Sequence, residues 1–256
     1  CWRSYFYFTL KLNGKKTMKT ILATLLLTLP TLAFAVDLDG YYITPKVGVS
    51  KSMDTGTTTL TSASNIVRVQ SDKDLGTGTA FGLSLGKYIT KNFRLELEAT
   101  KRAGYDYDTY ESNEPIRTSK ADIETHALFI NGFYDFHPFS IGSTPITPYL
   151  GGGIGVSRNK MGNILRAKET GAINRRIDGK TTSQFTYKLS AGALFSLTEN
   201  LSLDVNYQYV DLGAFKSKTR IVSTINGVVQ DDLIKGYSGG DIKSQEIMFG
   251  LQYKFN

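Results

Sequence analysis

Charged side chains recur at alternate positions in this chain, and two neighbouring carboxylates are the first candidates for chemistry. Glu96 and Glu98 are two residues apart, so an extended strand would point them in the same direction. Paired carboxylates can carry out acid–base catalysis. Because Arg94 shares their face, and Lys46 and Lys188 occupy polar positions of other segments, we expect these carboxylates to form ion pairs instead.

The two histidines, His126 and His137, offer little for catalysis or metal binding. A hydrolase centre would need a histidine clustered with a serine and an acid, and Leu128 is the next residue on the face of His126. Neither histidine has metal-ligand spacing to another histidine or to a cysteine. We therefore expect no catalytic residues, no metal site, no cofactor and no enzymatic activity.

The elements that carry these charges read as β-strands, because apolar and polar residues alternate with a period of two. The alternation is clearest at the C-terminal end, where Ile247, Phe249 and Leu251 would share one face and Glu246 and Lys254 the other. Eight segments follow the pattern: residues 40–51, 75–88, 93–100, 122–136, 146–157, 184–197, 201–209 and 246–255.

The lengths and connections of these segments indicate a membrane barrel. Most are about as long as a tilted transmembrane strand, ~9–11 residues. Connections are short after the second, fourth and sixth segments and long after the first, third, fifth and seventh. This predicts an all-β fold: an eight-stranded antiparallel transmembrane β-barrel with long outer loops and short periplasmic turns.

A secreted soluble barrel or sandwich, with its apolar face inward, is the alternative. Small residues on the second face, such as Ala80, Gly82, Gly151 and Gly153, favour the membrane barrel. Glycine weakens a strand that faces water, whereas the lumen of an eight-stranded barrel is only wide enough for side chains to fill it.

The beginning of the chain resembles a leader. Residues 18–35 combine Lys19, an apolar stretch and Ala33-Phe34-Ala35, as in a secretory signal peptide. Residues 1–17 are expected to be an upstream, non-native segment, and residues 36–256 the barrel. The whole chain has 30 basic and 23 acidic residues, but residues 1–35 contain five of the basic ones and none of the acidic ones. The remaining charge is nearly balanced, so nucleic acid is not an expected partner.

The polar face predicts charges that line the lumen and pair with one another, because an isolated buried charge is very costly. Two interpretations stay open: a structural plug and a narrow gated pore. The predicted network contains Lys46, Arg94, Glu96, Glu98, Lys188, Asp204, Glu246 and Lys254.

Function on a rigid scaffold usually resides in loops. The expected outer loops are residues 52–74, 107–120, 158–182 and 216–240, and the third is strongly basic. It could contact anionic partners such as lipopolysaccharide phosphates, sulfated glycans or an acidic host protein, or its charges could simply be solvated. Its basic residues are Arg158, Lys160, Arg166, Lys168, Arg175, Arg176 and Lys180.

The fourth loop contains a hairpin signal at Asn226-Gly227. A two-residue turn there would pair Ile225 with Val228, so the numbers of paired residues would add to an odd total. The lipid-facing residues of the last two strands are all odd-numbered. Because paired residues on neighbouring strands share a face, the numbers of each pair there must add to an even total. We therefore expect a β-bulge or a break between hairpin and barrel, near Gly236 or Gly239-Gly240.

Three stretches carry a family resemblance. Residues 128–136 (LFINGFYDF) and 147–156 (TPYLGGGIGV) resemble strands of bacterial surface-antigen and opacity-type barrels, which include the major surface antigens of rickettsia-like bacteria. Gly250, Tyr253 and Phe255 resemble the assembly signal of outer-membrane proteins, although Asn256 follows the expected terminal phenylalanine.

The resemblance implies a protein of the Gram-negative cell outer membrane whose loops mediate host-cell adhesion or antigen display. Its implied partners are outer-membrane lipid or lipopolysaccharide, a host surface protein or glycan, and the barrel-assembly machinery. A narrow small-solute porin is the alternative function, and a lipid-modifying enzyme is a third. No catalytic residues are implied.

Overall fold

A computed structural model describes residues 38–53, 58–61, 66–71, 74–111, 114–167, 173–225, 228–233 and 239–255. The segments 1–17 and 18–35 lie outside these residues. Across the described ranges, no helix is long and apolar enough to span a membrane. The regular elements there are fifteen strands: β1 (Tyr41–Ser52), β2 (Thr58–Thr61), β3 (Ile66–Ser71), β4 (Thr77–Tyr88), β5 (Phe93–Glu111), β6 (Glu114–Asp135), β7 (Phe139–Ile141), β8 (Thr144–Met161), β9 (Ile164–Ala167), β10 (Ile173–Ile177), β11 (Thr181–Ser196), β12 (Leu201–Lys216), β13 (Arg220–Ile225), β14 (Val228–Leu233) and β15 (Gly239–Lys254).

Eight long strands close into a ring, which confirms the predicted barrel. Their order is β1-β4-β5-β6-β8-β11-β12-β15, and the last pairs with the first. Val47, for example, lies between Phe249 of β15 and Phe81 of β4. Every ladder around the ring is antiparallel, as expected when consecutive strands run up and down. The closed ring leaves no unpaired edge within its wall.

The apolar side chains of the barrel point outward. Leu83, Ile154 and Phe249 are each about half exposed or more, at 54%, 60% and 49%, whereas the alternate residues of the same strands face the lumen. A water-soluble protein would bury the large apolar side chains. The opposite arrangement is the one that a hydrocarbon environment requires.

The apolar band on the outer wall ends at a defined level. Along β6, the outward residues Tyr134, Ile130 and Leu128 give way to His126 and Glu124. The apolar run spans nine residues, from 128 to 136, in agreement with the ~9–11 residues of a tilted spanning strand. The strands themselves continue well past this level.

The segments expected to be outer loops are largely strand, which corrects the sequence interpretation. β5 and β6 extend to Glu111 and Glu114, where the expected loop 107–120 lies. The other three expected loops contain β2 and β3, β9 and β10, and β13 and β14. The reason is a second core beyond the membrane level, where inward residues such as Tyr107, Ile164 and Phe215 are apolar and buried.

The fourth expected loop shows the predicted register change, at a different place. β13 and β14 pair with Ile225 opposite Val228, and the β12–β15 ladder shifts register between Asp211 and Ala214. The bulge contains Gly213, whose φ of 70° suits glycine. The expected position at Gly239-Gly240 is wrong, because Phe215 and Lys216 pair regularly with these glycines; Gly236 lies outside the described residues.

Candidate functional site

The centre of the lumen contains an ion-pair network around Glu98. The Lys188 Nζ lies 2.6 Å from Glu98 Oε2, and the Lys46 Nζ lies 3.3 Å from the same oxygen and 2.9 Å from Glu96 Oε1. The Asn131 amide donates to Glu96 Oε1 (3.2 Å) and to Glu98 Oε2 (3.0 Å). Each carboxylate therefore has cationic and neutral donors, which is what burial of a charge requires.

A second charged layer lies closer to the outer end of the lumen. The Arg102 guanidinium forms two bonds to Glu246, Nε to Oε1 at 2.5 Å and Nη2 to Oε2 at 3.0 Å. Ser50, Ser244 and Gln208 also donate to this carboxylate. Sequence analysis missed Arg102, although it continues the even-numbered inward positions of Arg94, Glu96 and Glu98 along the same strand.

A third layer closes the periplasmic end. Arg94 Nε lies 3.0 Å from Asp135 Oδ1, and its guanidinium stacks on the rings of Phe133 and Tyr149, 4.4 and 4.5 Å from their centroids. The Tyr149 hydroxyl donates to Asp204 Oδ1 at 2.5 Å. The sequence placed Asp135 on the second face of its strand but did not identify it as a partner of Arg94.

One member of the predicted network is not in these layers. Lys254 is half-buried, and its Nζ lies 5.7 Å from the centroid of the Tyr88 ring. Within the described ranges, no ion pair includes it. Seven of the eight predicted lumen residues are buried at 8% exposure or less: Lys46, Arg94, Glu96, Glu98, Lys188, Asp204 and Glu246.

Beyond the charged layers, the interior is apolar. Residues from the inward faces of several strands form one buried cluster, in which the Tyr107 and Phe215 rings meet edge to face at 5.9 Å. Ser157 and Asn159 bond the Leu212 carbonyl across the interior. Side chains thus fill the interior both at the level of the membrane and beyond it.

The residues of the predicted basic loop are dispersed. Arg158 and Lys160 are exposed on β8, and Lys180 precedes β11. Arg176 Nη2 lies 3.3 Å from Asp178 Oδ1, and Arg175 is half-buried on β10. Arg166 belongs to β9 but its side chain is not described, and Lys168 lies outside the described residues.

The sequence also missed an ion pair on the distal arm formed by β9, β10, β13 and β14. The Arg220 guanidinium of β13 binds Asp231 of β14, with Nη2 to Oδ2 at 2.6 Å and Nε to Oδ1 at 3.0 Å. Hydrogen bonding from Arg220 holds the pKa of the Asp231 carboxyl below its usual value. Because both side chains are about half exposed, this pair orients the hairpin without contributing much to stability.

The histidines lie apart from one another. The His126 Nε2 lies 3.3 Å from Glu124 Oε1 on the outer wall, and His137 is exposed in the short connection after β6. Lys101 Nζ lies 2.5 Å from the same Glu124 oxygen, and its hydrogen bond is the main reason why the pKa of Glu124 is lowered. In the part of the chain that the structure describes, no three His, Cys, Asp or Glu side chains are grouped to hold a metal ion.

The C-terminal residues close the barrel against its first strand. Tyr253 pairs with Ile43 and Leu201, and its ring meets that of Phe255 edge to face at 5.3 Å. The Phe255 amide donates to the Tyr41 carbonyl at 2.9 Å. Gly250 faces inward, where a side chain would come within 2.8 Å of Thr44.

Comparison with known proteins agrees with this geometry. The family model for the outer membrane protein beta-barrel domain matches residues 20–255. The chain is 26% identical to outer membrane protein PagN of Salmonella typhimurium, covering 85% of this chain and 90% of the relative. It is 25% identical to a protein of Rickettsia conorii whose name proposes it as an adhesin, RC1281, over 72% and 71% of the two chains.

Among solved structures, the outer membrane protein OprG of Pseudomonas aeruginosa has a TM-score of 0.50 at 14% identity, covering 85% of this chain and 97% of that one. This likeness supports the fold alone. The match of the family model spans the whole described barrel. The chain therefore belongs to the outer membrane protein beta-barrel domain family and lies in the outer membrane of a Gram-negative bacterium.

Proposed function

We propose that this chain is an adhesin, which binds a host-cell surface protein through the strands beyond the outer leaflet. The observation that carries the proposal is the distal arm, which ends in the strand β14, whose outer edge pairs with no other strand among the described residues. The name of the Rickettsia conorii relative, which is proposed as an adhesin, supports the same role. The proposed activity is binding and includes no catalytic step.

The distal arm exposes apolar side chains to water, and a bound partner would cover them. Val228, Val229 and Leu233 of β14 are 61%, 66% and 75% exposed, at a level where no lipid covers them. An exposed apolar edge strand invites pairing with another chain, and strand addition is a common mode of peptide recognition. The Arg220–Asp231 pair, which joins β13 to β14, holds this edge in place.

Adhesion should fall when the apolar side chains of this edge are removed. Replacing Val228, Val229 and Leu233 together by threonine keeps a strand-forming residue at each position and removes apolar contact area. We expect ~10-fold fewer bacteria that display the variant to attach to cultured epithelial cells, because a few buried apolar anchors dominate most interfaces.

The control is Ile141→Thr, which likewise replaces an exposed apolar residue by threonine, at a residue of β7 that is 66% exposed at the opposite end of the barrel. Display of each variant is checked by the heat-modifiable band on gels. Attachment of the triple variant at the level of the parent chain would show that this edge is not the adhesive surface.

For the charged residues of the lumen we propose a structural role, which argues against the porin alternative. Arg94, Arg102 and Lys188 are among the largest fully buried side chains. An eight-stranded barrel is only wide enough for side chains to fill it. The layers of ion pairs and the apolar cluster beyond them fill the interior. On this proposal, the role of the barrel is to support the surface strands.

The structural role predicts that the refolded chain conducts no steady current. Reconstituted into planar bilayers, it should show only brief or irregular openings, with a general porin as the positive control for insertion. A steady ohmic conductance that disappears on changing Lys46 or Glu98, which occupy the centre of the lumen, would instead favour a small-solute channel.

We propose that Gly250, Tyr253 and Phe255 are read by the barrel-assembly machinery. Tyr253 faces outward on β15, and both neighbours of this strand in the barrel, β1 and β12, pair with it along most of its length. An outward aromatic side chain at the end of the last strand is accessible before the ring closes. Asn256, which follows this motif, lies outside the described residues.

A further inference from the structure

Three cationic or titratable residues form one row on the outer wall immediately beyond the apolar band. Lys101 of β5 pairs with His126 of β6, and His126 pairs with Arg158 of β8. Their side chains all face outward and are exposed. On each strand the preceding outward residue on the membrane side is apolar: Ala99, Leu128 and Val156.

The next row outward adds another cation. Lys160 of β8 pairs with Glu124 of β6 and is exposed. Glu124 neutralises only part of the group, because its contacts are with Lys101 at 2.5 Å and with His126 at 3.3 Å. Within the described residues, neither Arg158 nor Lys160 has an ion-pair partner. The surface named here the basic wall patch comprises Lys101, His126, Arg158 and Lys160.

A cleft opens beside the basic wall patch. The β5–β6 ladder shifts register between Arg102 and Tyr105, and Gly104 in this bulge has a φ of 87°. The cleft has a volume of about 460 Å³, and Lys101, Lys160 and Glu124 line it. Its size is within the range of small-molecule sites, ~300–1,000 Å³. The carboxylates of Asp106 and Asp122 also line it, so the cleft is not basic by itself, and the positive charge that Glu124 leaves unpaired is that of Arg158 and Lys160.

The membrane-facing surface on the opposite side of the ring differs. At the corresponding position there, the first outward residue after the apolar Val49, β1 presents Lys51, which lies between Gln245 of β15 and Thr77 of β4. In that row this side has one cation, and Lys243 of β15 follows at the next outward position, whereas Lys101, His126 and Arg158 occupy neighbouring positions of a single row. The charge asymmetry lies at the boundary of the apolar band, and not at the distal arm.

We infer that the basic wall patch binds the phosphorylated sugar headgroup of an outer-leaflet glycolipid, the lipopolysaccharide of the bacterial outer membrane in which the barrel lies. The level of the patch is that of the headgroups, since the apolar band below it accommodates the acyl chains. Lysine and arginine side chains bind phosphate through charge-assisted hydrogen bonds. A binding site for a soluble anion would not need to lie at the edge of the hydrocarbon region. The inference does not depend on the proposed adhesive function.

The test uses the full chain refolded in zwitterionic bilayers, with diphosphorylated lipid A as the probe. We expect the midpoint of thermal unfolding, read from the heat-modifiable band, to rise as lipid A is added. The variant Arg158→Gln/Lys160→Gln should need ~10-fold more lipid A for the same rise, because it loses two charge-assisted contacts. Without lipid A, both chains should unfold at the same temperature, since both side chains are exposed.

The control Lys51→Gln removes an exposed lysine at the same level on the opposite side and should respond to lipid A as the parent does. The variant Glu124→Gln frees Lys101 and His126 and should require less lipid A. The inference is overturned if lipid A stabilises the parent and the double variant equally, or if dephosphorylated lipid A is as effective. An equal rise with inorganic phosphate alone would identify a site for free phosphate and would also overturn it.

Discussion

Replacing Glu98 with alanine is expected to lower the free energy of unfolding of the barrel by ~3–5 kcal/mol, the usual effect of removing one partner of a buried ion pair. Glu98 Oε2 accepts from Lys188 at 2.6 Å and from Lys46 at 3.3 Å, and the Glu98 and Lys188 side chains are each 1% exposed. Lys46 keeps Glu96 as a partner. Lys188 would be left buried with its main counter-charge removed, and this is the origin of the loss.

The measurement is a urea titration of the refolded chain in bilayers of fixed composition, with the folded fraction read from gel mobility. Glu124→Gln is the matched control, because Glu124 also forms a lysine ion pair, at 2.5 Å, but on the outer wall where Lys101 is 50% exposed. It should change stability by only ~0–1 kcal/mol. Equal, small effects of the two substitutions would contradict a water-excluded charge network.

A substitution of Phe249 by arginine is expected to cost ~2–4 kcal/mol, the range for a cation at the lipid face near the bilayer midplane. Phe249 faces outward from β15 and is 49% exposed. It pairs with Val47 on one side and Val205 on the other. The guanidinium would therefore be surrounded by hydrocarbon. The flexible side chain of arginine can reduce this cost only by extending its charged end toward the membrane–water interface.

Gln245→Arg provides the comparison on the same strand and the same face. Gln245 is the next outward residue after Ile247, two outward positions from Phe249, and is already polar and exposed. The change there should be close to neutral, ~0–1 kcal/mol. A larger loss at Gln245 than at Phe249, in the same urea titration, would mean that the apolar faces are directed away from lipid.

The strands of the barrel wall could be predicted because their pattern is local. Alternation at Ile247, Phe249 and Leu251 needs no knowledge of any other strand. The same alternation identified inward positions such as Glu98 and Lys188, which the structure places 2.6 Å apart. Which residues share a face is thus written into each segment separately.

The positions of the bulges could not be predicted from this pattern, and the bulges explain the strand extensions that the sequence missed. On β5 the inward positions are even-numbered up to Arg102 and odd-numbered from Tyr105. The one extra residue of the bulge at Gly104 reverses the alternation. Beyond that level the inward face also becomes apolar, as at Tyr107, so the expected polar lumen pattern ends while the strand continues.

The choice of partners within the lumen depended on the tertiary structure. Arg94 binds Asp135, and Arg102 binds Glu246, residues that are 41 and 144 positions apart in the chain. The stagger of the strands decides which inward residues reach the same level. No segment contains that information by itself, because a shift of one pair in any ladder would bring different charges together.

Taken alone, the sequence determined the architecture: a chain whose segments alternate between apolar and polar side chains, and which carries the family resemblance, forms a membrane barrel. This follows because a side-chain period of two is a property of each strand. The tertiary structure decided where charges meet, where the interior turns apolar and which cations line up at the lipid boundary. These depend on register and closure, which arise only when all eight strands pair.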